Sequence, residues 1–146
     1  KDLVNKTPDV KFDLYGIDKV QPIWADHYFK TISNAKMGLN LSRGEAIKYY
    51  SSDRITQIVG NGLVCLIDEK TKYRNFFDEN EMVFYKNIND LSEKILKISS
   101  DDKLRKKIAK RGKLKYMKHF NSDLVSEYII DKILNIRSSK KYLWEK

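Results

Sequence analysis

A chain of 146 residues, 41% hydrophobic and 34% charged, has the size and apolar content of about one globular domain, which excludes a disordered or low-complexity protein. The net charge of +9 invites an anionic partner, but no apolar run approaches the ~20 residues that span a bilayer, and the opening KDLVNKTPDVKFDLYG has no signal-peptide core. The single cysteine, Cys65, has no intrachain disulfide partner, so a reducing, cytoplasmic setting is expected, with the thiol buried in its apolar run.

Along the chain, Lys1 to Thr7 reads as the end of a helix stopped by Pro8, whose ring carries no N–H. Val10 to Tyr15 alternates apolar and polar residues and predicts a strand closed by Gly16. Tyr28, Phe29 and Ile32 recur at helical spacing and predict a helix over Ala25 to Ala35. Met37 to Leu41 is a second strand, too continuously apolar for a sheet with one wet face. A polar loop, Ser42 to Tyr50, leads to a helix from about Asp53 to Gly60, with Ser51 and Ser52 as hydroxyl caps and Asp53 at the positive end of the dipole. Asn61-Gly62 ends it, and Leu63 to Ile67 is the most buried strand candidate, closed by Asp68, which is expected to cap the next turn through Thr71.

A short helix over Thr71 to Phe77 and a strand over Met82 to Tyr85 follow. Three helices then span Asn89 to Ile98, Asp101 to Phe120 and Ser122 to Ile136, with Ser100 and Ser122 as caps. Gly112 within the second costs about 1 kcal/mol relative to alanine. His119 near its end is expected to gain from the helix dipole. The tail SSKKYLWEK is amphipathic, with Tyr142, Leu143 and Trp144 available to pack on another part of a larger protein.

Alternation of strands and helices predicts an α/β fold with a Rossmann-like open, mostly parallel sheet, helices on both faces and a helical C-terminal region. Residues 1–137 form that domain and 138–146 the tail. Because the chain opens on the end of a helix, it reads as a fragment of a larger protein. The charge excess lies mainly between Lys94 and Lys118, at polar helix positions. A solvated face is the plain reading; an anionic membrane comes next, and nucleic acid last, because no recognition motif accompanies the lysines.

The functional centre is placed at Met37 to Asp68, MGLNLSRGEAIKYYSSDRITQIVGNGLVCLID. In a parallel strand–helix–strand unit the helix N-terminus lies at the carboxyl edge of the sheet, where oriented N–H groups favour phosphate. Together with Tyr15-Gly16, FFDENEMVFYKNINDLSEKI from Phe76 to Ile95 and the closing IAKRGKLKYMKHF, this stretch resembles the C-terminal half of GT-B glycosyltransferases. Within them it is most similar to the group-1-like branch that includes the spore-maturation type enzymes. The resemblance runs from about Val10 to Ile136.

The resemblance implies a bacterial, cytoplasmic enzyme part that binds a nucleotide-diphospho-sugar donor for transfer to a saccharide, lipid or protein acceptor. A preceding acceptor domain of the same protein would face it, and peripheral association with the inner face of the membrane is the accompanying possibility. The chain alone would bind donor without turnover; no metal and no cofactor other than the substrate nucleotide-sugar are implied. The donor diphosphate would rest at the helix opening near Ser51 and Ser52, with Arg54, Arg43 and Lys48 neutralising its charge. Many members carry a glutamate on this helix that holds the donor ribose, the second of two glutamates with seven residues between them. Here those positions are Tyr49 and Gln57, so Gln57 would bond a ribose without charge.

Arg54 alternatively pairs with Asp53, and Arg43, Lys48 and Glu45 are otherwise solvated charges. Tyr49 and Tyr50 either stack on a base or sugar or pack beneath the loop. The backbone at Tyr15, Gly16 and Ile17 is a further contact candidate, at the end of the first strand. Two other readings compete: a non-catalytic basic α/β module for nucleic acid or anionic membrane, and a flavodoxin-like or receiver-type domain. The second lacks the acidic cluster and flavin-phosphate loop it needs.

Overall fold

The computed structural model describes every residue except Asp18, Ser42, Arg43, Ser51 and Lys146. Its elements in order are α1 (Asp2–Lys6), α2 (Ala25–Asn34), β1 (Met37–Asn40), α3 (Asp53–Gly60), β2 (Val64–Asp68), β3 (Val83–Tyr85), α4 (Ile88–Ser100), α5 (Asp102–His119) and α6 (Ser122–Ile133). The strands form a parallel sheet of order β1-β2-β3, with Gly38 opposite Cys65 and Asp68 opposite Tyr85.

β2 sets the layers. Cys65 and Ile67 face a cluster with Ile55, Ile58 and Val59 of α3 and with Tyr73, Phe76, Phe77 and Phe84. Val64 and Leu66 face Leu91, Ile95 and Ile98 of α4 and Ile108 and Ala109 of α5. This period-2 division places both crossover connections on one face and α4 on the other, the doubly covered arrangement that continuous apolar strands require.

Two glycines set close approaches. A Cβ on Gly38 of β1 would sit 2.4 Å from the Ile58 side chain, so its absence lets α3 lie close on the strand. A Cβ on Gly112 of α5 would sit 2.3 Å from the Glu81 carbonyl oxygen, just before β3. Gly112 is therefore more than a tolerated flaw in a long helix: it lets α5 touch the backbone of the turn, beside the Lys115–Glu81 ion pair at 2.7 Å.

Several expectations are corrected. Val10 to Tyr15 forms no strand; Val10 and Phe12 lie as apolar cover on the α4 face of the core, so alternation here reflects one packed side and not a ladder. The helix expected over Thr71 to Phe77 is two short 3₁₀ turns, Glu69–Thr71 and Tyr73–Asn75, split at Lys72, whose φ of 60° cannot continue a right-handed helix. Caps on α5 and α6 come from Asp101, accepting from Leu104 N, and Asn121, accepting from Leu124 N, each one residue away from the expected serine. Ser100 instead bonds back to Lys97 O.

The tail packs on this chain's own surface. Tyr142 is buried, and Trp144 lies 5.6 Å from Phe120 and 5.8 Å from Tyr128, ring centre to ring centre.

Gly112→Ala is expected to destabilise the fold by about 1–3 kcal/mol despite alanine's better helix propensity, because the obstructing atom is backbone. Gly60→Ala, whose Cβ would meet nothing nearer than Met117 Cε at 3.7 Å, should be neutral or stabilise by up to about 1 kcal/mol; denaturant unfolding of both variants checks the contrast.

Candidate functional site

Parallel pairing of β1 with β2 turns α3 antiparallel to both, so its first turn meets the carboxyl ends of the strands. Ser52 holds the N-cap position with extended backbone, but its hydroxyl makes no cap bond to the helix. It donates to Asn40 Oδ1 at 3.3 Å, tying the helix to the end of β1, where Asn40 is only 3% exposed. This corrects the hydroxyl-cap expectation: a buried amide oxygen takes the donor that the cap would have oriented. Ser51 and Arg43 lie outside the described residues.

Arg54 projects from the first turn and donates through Nη1 to the Leu41 carbonyl. That bond, and not an ion pair with Asp53, is its protein partner. The guanidinium is exposed and has five N–H donors, so others remain directed outward. Gln57 follows three positions later on the same helix side and is half-buried, while Ile55, Ile58 and Val59 point inward.

The loop before α3 is braced from beneath. Tyr49 has a φ of 59°; its N–H donates to Thr71 O at 2.8 Å, its ring lies 5.0 Å from that of Phe76, and its hydroxyl accepts from Asn75 Nδ2. Tyr49 thus packs under the loop. Lys48 is exposed, with Nζ 4.8 Å from the Tyr49 ring centre, close enough for a cation–π contact. Tyr50 is 44% exposed and free of that core packing.

Ser52, Arg54 and Gln57 therefore share the front of α3, and Lys48 and Tyr50 belong to the loop that reaches it. Asn40 and Asn75, which help hold this geometry, escaped the sequence reading. A polar residue closing an apolar strand was the available signal for Asn40.

Elsewhere on the carboxyl edge, Asp68 caps the next turn by accepting from Lys70 N at 2.8 Å, and its carbonyl accepts from Thr71 Oγ1 at 2.6 Å. Burial, with the Asp68 charge second, pushes the Tyr85 phenol up to about 12. The expected strand leading to Tyr15-Gly16-Ile17 is absent, and Gly16, at φ 75°, donates its N–H to Val20 O in a turn.

A hollow of about 490 Å³ lies at the opposite end of the sheet, lined by Asp78, Glu81, Lys115 and His119. Burial and the Lys118 and Lys115 charges hold His119 below its ordinary pKa. The front of α3 is by comparison an open surface on which Arg54, Lys48 and Asp53 are exposed.

Parallel strands, a crossover helix opening on their carboxyl ends and polar groups gathered there define a Rossmann-like α/β domain. Residues 1–131 match the family described as glycosyl transferase-like, and this chain belongs to it. Its role is thus in glycosyl transfer. No curated protein and no solved structure matches the chain.

Cys65 is the second residue of β2, toward its amino end, and burial pushes its thiol up to about 12. The thiolate is the nucleophile, so a disulfide reagent near neutral pH should label native protein far more slowly than urea-unfolded protein. Equal rates in the two states, followed spectrophotometrically, would show the thiol to be accessible.

Proposed function

We propose that this chain is the donor half of a GT-B glycosyltransferase of the group-1-like, spore-maturation branch, with the diphosphate of a nucleotide-sugar resting at the front of α3. The observation that carries the reading is the double tie of that turn to the end of β1, Ser52 to Asn40 and Arg54 to the Leu41 carbonyl. It fixes a helix N-terminus and a guanidinium at the sheet's carboxyl edge before any ligand arrives.

Electrostatics supplies the chemistry. When the sugar leaves, charge grows on the nucleoside diphosphate, and fixed N–H dipoles with Arg54 and Lys48 stabilise it without reorganising. Arg43 and Ser51 complete the phosphate shell in this reading. Tyr50 is the exposed ring available to a base or sugar. Gln57 bonds the ribose as a neutral donor and acceptor where relatives of the resembled branch use a carboxylate. The open face suits a cleft whose other wall is an acceptor domain, which binds the saccharide, lipid or protein that receives the sugar.

A thermal-shift series with UDP, GDP, ADP and CMP tests the proposal. A nucleotide at a hundredfold excess over its Kd should raise Tm by roughly 5 to 10 °C, and Arg54→Ala should remove most of that rise. No shift with any nucleotide overturns the donor-site reading, whereas a full shift in the variant removes only Arg54. Gln57→Glu should tighten the binding of the ribonucleotide about fivefold and leave its 2′-deoxy counterpart unchanged, as titration calorimetry would record.

A further inference from the structure

Helix α6 is turned inside out relative to an ordinary surface helix. Its polar side chains face the chain's own tail: Glu127 pairs with Lys140 at 2.6 Å, Asp131 accepts from the Tyr142 hydroxyl at 3.4 Å, and Lys132 pairs with Glu145. Its apolar side faces out. Val125, Ile129 and Ile133 follow one another at four-residue spacing and are 39%, 50% and 71% exposed, flanked by Ile130 and, past the helix end, Leu134 and Ile136. Only Ser122 and Ser126 interrupt this side, and neither carries charge.

A basic run overlaps the end of the strip and continues past it. From Lys132 to Lys141 the sequence KILNIRSSKK contains four cations and no acid, all of them exposed. Arg137 and Lys141 have no acidic partner among the described residues. An uncharged apolar strip joined to a cationic segment is the composition of a helix that lies in a bilayer interface, apolar side down, with its cations among anionic headgroups. Nucleic acid would use the charges and leave the isoleucines in water. Among the described residues no helix is long and apolar enough to cross a membrane, so the contact would be peripheral.

We infer that the outward strip Val125-Ile129-Ile133 of α6, together with the basic segment 137–141, is a docking surface for an anionic lipid bilayer. This placement is independent of the donor site, which lies on a different element.

Co-sedimentation of the chain with vesicles of phosphatidylglycerol and phosphatidylcholine in equal parts, and with phosphatidylcholine alone, tests it. Binding is expected to the mixed vesicles only and to weaken as salt rises. Ile129→Glu/Ile133→Glu should reduce binding roughly tenfold or more, and Arg137→Gln/Lys141→Gln about fivefold per charge removed. All four positions are exposed, so circular dichroism and Tm of the variants should match the parent. Equal binding to neutral vesicles, undiminished binding by the isoleucine variant, or no vesicle binding together with a dimer that this variant dissociates in sedimentation velocity would each overturn the inference.

Discussion

Burial of β2 on both faces is the constraint from which the rest of this structure follows. A strand with side chains alternating into two separate apolar clusters leaves no side for water, so two layers must close on it. Each fully buried aliphatic or aromatic side chain contributes about 1.5–3 kcal/mol, which makes the central strand and its cover the main source of stability. Closure demands short distances, and Gly38 and Gly112 supply them by omitting a Cβ where a neighbouring layer arrives. The same enclosure that holds the fold together also silences Cys65 chemically.

The carboxyl edge inherits its geometry from that packing. Since Ile55, Ile58 and Val59 commit α3 to the β2 face, its first turn has no choice but to open beside Asn40 and Leu41. Ser52 and Arg54 then fasten the two ends of the loop, and Tyr49 supports it from the core side through Thr71 and Asn75. That support from beneath leaves Arg54 and Lys48 exposed at the edge of the sheet.

Much of this was legible in the residues. Periodicity located α2, α3, α5 and the three strands within a residue or two, because buried faces impose 3.6- and 2-residue repeats on the sequence. The segment Val10 to Tyr15 misled for a physical reason: alternation shows which side is apolar and says nothing about whether a backbone partner is present. Lys72 entering the left-handed region, and Asp101 and Asn121 taking the caps from adjacent serines, are local competitions that composition leaves open. At the site, the residue types on the front of α3 could be read, as could Tyr49 as packing. The Ser52–Asn40 and Arg54–Leu41 bonds could not, since they join positions twelve and thirteen residues apart that only tertiary closure brings together. The outward turn of α6 was equally hidden: amphipathic spacing identifies two sides without saying which one the tail will take.

Phe120 stacks at once on Phe77 and Tyr116 and meets Trp144, so part of the lid over the α3 cluster is contributed by residues far along the chain. During vectorial synthesis the sheet and α3 leave the ribosome well before that lid does. For this interval an aromatic patch stays uncovered in a nascent chain, a window in which chaperones and self-association compete for it.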